Sequence, residues 1–78
     1  MEIIGFALCL DNSGYEVSLE VRKMYPVVEP LDNDPTGYLR IVDESDEDYL
    51  YSEKAFAIIN LSPQIEKRIK KSLSSVQP

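Results

Sequence analysis

Hydrophobic and polar residues alternate along most of the chain with a period of two. From Ile3 to Leu10, Ile4, Phe6, Leu8 and Leu10 fall on one side and Ile3, Gly5, Ala7 and Cys9 on the other. That is the pattern of a strand with one bulky and one small face. Asp11-Asn12-Ser13-Gly14 follows, a dense turn signal because such side chains bond their own backbone or tolerate unusual φ. Val17, Leu19 and Val21 then alternate with Ser18, Glu20 and Arg22. A strand is expected within residues 15–24, although the acids and the leucine would also suit a turn of helix. Tyr25-Pro26-Val27-Val28 reads as a further strand. Pro26 has no N–H for a ladder and is expected near a sheet edge or a strand start. Asp34-Pro35-Thr36-Gly37 matches a type I turn.

The stretch from Gly37 to Tyr51 carries the strongest pattern. Tyr38, Leu39, Ile41 and Val42 lie on one side of an acidic turn and Tyr49, Leu50 and Tyr51 on the other, as in an antiparallel hairpin. Asp43, Glu44, Asp46, Glu47 and Asp48 place five carboxylates in six residues. Ser52-Glu53-Lys54 makes a short turn, and residues 55–60 give a last strand built on Phe56, Ile58 and Ile59. Ser62-Pro63 then opens a helix, with serine as cap and proline at the first helical position. Ile65, Ile69 and Leu73 repeat at four-residue steps, Val76 extends the stripe, and bases occupy the other faces. About a dozen residues make a helix that is marginal alone, so it needs an apolar surface to dock on. The expected architecture is mainly β: a small SH3-like five-stranded barrel over residues 1–61 with an amphipathic basic helix over 62–78, in one domain.

Composition narrows the chemistry. The chain of 78 residues has no histidine, which removes the commonest general base and metal ligand. Cys9 is the single cysteine, so no intramolecular disulfide or cysteine cluster can form. It reads as a small buried hydrophobe between Leu8 and Leu10. No catalytic residues, metal or cofactor are expected, and the protein is read as non-enzymatic. The short apolar run near the N-terminus lacks a basic flank and is too short to span a membrane, so a soluble cytoplasmic protein is expected. Residues 1–62 hold 13 acids and 4 bases, a balance of −9, and residues 63–78 hold 1 acid and 4 bases, a balance of +3. An acidic body repels phosphates, so nucleic acid is not expected as a partner.

Gly14-Tyr15-Glu16, Ser18-Leu19-Glu20, Lys23 and Tyr25, followed by Arg40-Ile41-Val42-Asp43-Glu44-Ser45 and Glu47-Asp48-Tyr49-Leu50-Tyr51, resemble a family of short bacterial and cyanobacterial proteins. The similarity covers roughly residues 7–61. It implies an SH3-like fold and brings no assigned activity. Where the family pattern has glycine, this chain has Asp46 in the acidic turn and Arg22 before Lys23. If the family turn needs a positive φ, Asp46 has to adopt it, which aspartate tolerates better than most residues.

Three candidate sites follow, each with a plain structural alternative. The acidic turn, with Asp32-Asn33-Asp34 as a second oxygen-rich loop, offers ligands for a hard cation such as Ca²⁺ or Mg²⁺. It does not match the spacing of a calcium-binding EF-hand loop. The alternative, which is favoured, is a solvated turn whose charge discourages edge pairing. The basic helix could lie on an anionic membrane, but its narrow stripe without aromatic anchors favours packing on its own sheet, and no membrane partner is expected. The tyrosines offer the third site. An aromatic groove beside an acidic loop can grip a proline-rich basic segment. Tyr15, Tyr25, Tyr49 and Tyr51, with Glu16, Glu20, Asp43, Glu44, Asp46, Glu47 and Asp48, are the candidate residues. The leading expectation is a protein–protein interaction module that binds another protein through this face or associates with itself. A carboxylate-based cation module and, more remotely, a small-barrel nucleic-acid binder are the alternatives.

Overall fold

The computed structural model describes residues 2–74. Five antiparallel strands form one sheet: β1 (Ile3–Cys9), β2 (Met24–Val28), β3 (Tyr38–Val42), β4 (Asp48–Ser52) and β5 (Phe56–Ile59). Their order is β4-β3-β2-β1-β5. The first four strands make a meander, and β5 returns to lie beside β1. A 3₁₀ turn, Glu53–Ala55, links β4 to β5, and the helix α1 (Pro63–Ser74) follows. The protein is therefore mainly β with a C-terminal helix.

The short β4–β5 link dictates the shape of the sheet. Strands lie about 4.8 Å apart, so the edges of a flat five-stranded sheet are about 19 Å apart. The chain from Ser52 to Phe56 reaches at most about 14 Å, and the 3₁₀ turn shortens that reach. The sheet has to curl. It does so around one core of Ala7, Cys9, Leu19, Tyr25, Val27, Ile41, Tyr51 and Phe56. Tyr51 and Phe56, from opposite edges, meet with ring centroids 6.1 Å apart. No ladder joins β4 to β5, so the sheet remains open.

The small side of β1 faces this core, where Ala7 and Cys9 are fully buried. Small residues let the curled strands approach. The bulky side faces outward and is covered unevenly: Phe6 and Val28 are buried, whereas Ile4 and Leu10 are about half exposed. Leu73 of α1 shares a hollow with Ile3, Met24, Pro26, Val28 and Val42, so the end of the helix lies over this outer side. Ser62 caps α1: its Oγ accepts the Ile65 N–H at 3.3 Å and its C=O accepts the Glu66 N–H at 2.9 Å. Ile65 and Leu73 stay partly exposed, so the apolar stripe is only partly covered. Val76 lies outside the described residues.

Two local expectations are corrected and one is extended. Residues 15–23 form turns, not a strand. The Ser18 and Leu19 N–H groups both bond the Tyr15 C=O at 2.9 Å, and Asn12 Nδ2 bonds the Leu19 C=O at 2.9 Å. Leu19 thereby plugs the core at 1% exposure while Val17 stands 94% exposed, a contrast that an alternating strand would not give. Pro26 sits in an interior strand, neither at an edge strand nor at the strand start. The β2–β3 ladder runs only over Val27 and Val28, so Pro26 has one ladder-free side where its missing N–H is harmless. The loop before β3 turns twice: once at residues 32–33, where the Asp34 N–H bonds the Leu31 C=O at 3.0 Å, and again at Thr36-Gly37, with Gly37 at a φ of 89°, so the expected turn is present with a further one before it. Arg22 and Asp46 take φ of 66° and 65°, the positive-φ non-glycine residues among those described. These are the two positions where the resembling pattern has glycine.

Candidate binding face

The β3–β4 hairpin and the loop after β1 position the candidate groups. At the mouth of the hairpin, Asp43 is 4% exposed. Its Oδ1 accepts the Ser45 N–H at 2.9 Å and the Ser45 hydroxyl at 2.6 Å, and its Oδ2 accepts the Tyr51 hydroxyl at 2.6 Å. Burial pushes the Asp43 carboxyl up, but these donors together outweigh it and hold it below the usual range. The Tyr51 phenol is pushed up to about 12 by burial and by the Asp43 carboxylate.

Glu44 faces the other way. Its Oε2 accepts the Tyr25 hydroxyl and the Lys23 ammonium, the latter at 2.6 Å. Lys23, and then Tyr25, lower the Glu44 carboxyl. The Glu20 N–H donates to the Tyr25 oxygen at 2.7 Å, and Lys23 lies 5.5 Å from the centre of the Tyr25 ring. Burial first, then Glu44, raises the Tyr25 phenol.

Arg40 on β3 takes the place that the sequence left open for a cation. Its Nε and Nη2 donate to the two Asp34 carboxylate oxygens at 2.9 and 2.8 Å, and its Nη1 donates to Asp48 at 2.7 Å. The fork matches carboxylate geometry and ties the loop before β3 to the start of β4. The Arg40 guanidinium holds Asp34 down to about 2 and lowers Asp48. The two oxygen-rich loops do meet, around an arginine. Among the described residues no three carboxylate or thiol groups are placed to hold a metal ion. Cys9 is buried and its thiol raised, chiefly by desolvation.

The remaining tyrosines gather around the β4 edge, Tyr49 on the same side of the hairpin as Tyr51 and Tyr38 on the other. Tyr15 stands edge-on to Tyr51, with ring centroids 5.0 Å apart at 80°. It divides two adjacent clefts beside β4. One, of about 300 Å³, is lined by Asp11, Tyr15, Tyr38, Leu50, Tyr51 and Lys54 among others. The second, of about 390 Å³, is lined by Tyr15, Ser18, Asp43, Ser45, Tyr49, Leu50 and Tyr51. Tyr15, Tyr38 and Tyr49 are each about half exposed, whereas Tyr51 is buried as the floor. Glu47 accepts a long bond from the Tyr49 hydroxyl at 3.4 Å, and chiefly its charge raises the Tyr49 phenol. The Asp11 carboxylate is lowered by the Ser13 hydroxyl and N–H, which it accepts at 2.7 and 2.9 Å.

Of the residues named from sequence, Tyr15, Tyr49, Tyr51 and Asp43 come together here. Glu47 sits at the rim, and Glu16 lies exposed on the Tyr15 loop, accepting the Gly14 N–H at 3.2 Å. Tyr25 is not a groove wall. It is 3% exposed, and its ring belongs to the core because its hydroxyl finds partners in Glu44 and the Glu20 N–H. Glu20 and Glu44 go with it through Lys23, at 3.7 and 2.6 Å. Asp48 is taken by Arg40, and exposed Asp46 borders the hollow on the opposite side of the sheet. Tyr38, Leu50, Asp11 and Lys54 were missed. The hairpin register sets Tyr38, Arg40 and Leu50 on the face opposite Tyr49 and Tyr51, so alternation alone separates these residues, and they share a cleft only around the β4 edge. Comparison of the chain with family models, curated proteins and solved structures finds no match. No helix among the described residues is long and apolar enough to cross a membrane.

Proposed function

We propose that this protein is a non-enzymatic interaction module of SH3-like architecture that takes an extended, basic, proline-containing segment of a partner protein along its tyrosine face. The five-stranded order, the curl forced by the short β4–β5 link and the sequence resemblance support the architecture. One observation carries the binding reading: half-exposed Tyr15, Tyr38 and Tyr49 border two adjacent clefts floored by Tyr51. A polyproline-type segment is already extended and loses little entropy on docking, and its rings pack on aromatic faces. Tyrosine offers large contact area with few rotatable bonds. The acidic body and the Glu47 rim favour a ligand carrying lysine or arginine.

The test is a titration with a synthetic arginine- and proline-rich peptide at low salt, followed by tyrosine fluorescence. Saturable binding that weakens with added salt, and by about tenfold or more in Tyr38→Ala or Tyr49→Ala, is the expected outcome. Equal affinity in wild type and both variants refutes the assignment to this face. A pull-down from native lysate at low salt that captures no protein weighs against a binding module altogether.

A further inference from the structure

The β4 edge runs between the two tyrosine clefts, and the hairpin register shows which of its backbone groups are unused. The Asp43 N–H bonds the Glu47 C=O at 3.2 Å, and the Glu53 N–H bonds the Gly37 C=O at 3.0 Å. In an antiparallel ladder, pairs that exchange hydrogen bonds alternate with pairs that do not. Counted from these two bonds, Tyr49 exchanges backbone bonds with Ile41 and Tyr51 with Leu39, whereas Leu50 faces Arg40 without one. The Leu50 N–H and C=O therefore point away from β3, out of the open edge. Among the described residues, the backbone of the loop after β1 bonds Glu44 and Ala55 but no residue of β4. Leu50 lines both clefts, so its unused N–H and C=O lie in their common wall.

We propose that the basic segment taken at the tyrosine clefts adds to β4 as a further antiparallel strand, held at one non-proline residue by the Leu50 N–H and C=O. This rests on the binding function proposed above and gives its ligand a sequence rule. Strand addition supplies main-chain bonds and leaves specificity to alternate side chains. Every strand pair in this sheet is antiparallel, and in that arrangement a single ligand residue takes both Leu50 bonds. That residue donates its own N–H to the Leu50 C=O, so it cannot be proline. Its two neighbours, opposite Tyr49 and Tyr51, turn their N–H groups outward and share the face of those rings, so both can be proline. A residue before proline is already extended. Charge selects the partner and its direction. Glu47 and Glu53 flank β4, which deters pairing with another acidic copy and attracts a basic segment. In the cleft that reaches Ser52, Asp11 and Lys54 oppose each other in sign. The cleft beside Tyr49 holds Asp43 and no cation, with Glu47 at its rim. An antiparallel segment sets its later residues against Glu47, so the preferred order is proline, a non-proline residue, proline, then lysine or arginine.

The test uses end-capped peptides and the unaltered protein at low salt, followed by tyrosine fluorescence and amide NMR. Pro-Leu-Pro-Arg-Arg is expected to bind. Methylating its leucine nitrogen keeps every side chain and removes one N–H, and is expected to weaken binding about tenfold or more. Methylating the nitrogen of the last arginine, which points outward, is expected to change it by less than about twofold. Moving both arginines in front of the first proline is expected to weaken binding about threefold or more. The Leu50 amide proton is expected to exchange more slowly once the first peptide is bound. Binding that shifts the cleft tyrosines but ignores leucine N-methylation and leaves Leu50 exchange unchanged overturns strand addition, and the tyrosine reading stands without it. Equal affinity for the two arginine placements overturns the antiparallel direction. No binding of any peptide up to about 1 mM overturns both the strand addition and the reading it rests on.

Discussion

Two sets of tyrosines and acids occur within a few residues of each other, and their fates differ. At the hairpin mouth, Tyr51 and Tyr25 are buried, and each phenol donates to a carboxylate, Asp43 or Glu44, that has a further partner in Ser45 or Lys23. On the face beside β4, Tyr15, Tyr38 and Tyr49 are half exposed, and Glu47 has only a long contact with Tyr49. The residue types are the same, but their pairing is not. A carboxylate with its acceptor sites filled by the protein's own donors holds the fold and has little left for a ligand. A phenol ring with one face in water can still be covered. Among the described residues no buried side-chain polar atom lacks a partner, so the inner set is complete and the outer set is where a partner can add contacts.

The comparison breaks most visibly at Asp43. Asp43→Ala removes the acceptor of three hydrogen bonds and leaves the buried Tyr51 hydroxyl unpaired, an expected loss of about 3 kcal/mol in urea unfolding. Tyr51→Phe removes one donor to a carboxylate that keeps Ser45, and about 1.5 kcal/mol is expected. Stability should also fall at both extremes of pH. Asp34, Asp43, Glu44 and Asp48 titrate below their ordinary values of 3.8 and 4.5, Asp34 at about 2. Their contribution is complete above those ordinary values and is lost as pH falls towards 2. Tyr51 has the opposite sign: its phenol rises from 10.0 to about 12, so its contribution is complete below pH 10 and is lost as pH rises through 12. Thermal melts followed by circular dichroism at steps from pH 2 to 12 should show both slopes, and a melting temperature flat from pH 5 to 2 contradicts the account. Tyr38→Ala and Tyr49→Ala, on the open face, should move the melting temperature by no more than about 3 °C. The smallest effect is a gain: Asp46→Gly relieves a φ of 65° at the cost of backbone entropy, for a net of about 0.5 kcal/mol.

How far these differences could be read from sequence depends on what each rests on. The hairpin was legible because apolar alternation and a dense acidic turn are both local signals. The start of α1 was legible because Ser62 and Pro63 act through their own backbone. The segment after β1 was misread because Val17, Leu19 and Val21 alternate in sequence as a strand would. What decides their placement is tertiary: Leu19 enters the core through a turn closed on Tyr15, and Arg22 reverses the chain at positive φ. The candidate face was half legible. Tyr49 and Tyr51 could be grouped from the hairpin, but Tyr15 joins them only through the fold, and Tyr25 and Tyr51 look alike in sequence to the exposed rings until their hydroxyl partners are known. The role of Arg40 was hidden because it joins Asp34 and Asp48 across six and eight residues.

The central claim is that the half-exposed tyrosines beside β4 bind, and that the paired acids serve the fold. Its most direct test is an amide and tyrosine-ring NMR shift map of the unaltered protein titrated with the arginine- and proline-rich peptide. The account predicts the largest shifts at Tyr15, Tyr38, Tyr49 and Leu50, with Tyr25, Lys23 and Glu44 unmoved. Shifts centred on the Tyr25–Glu44–Lys23 group, with the rings beside β4 silent, would contradict it.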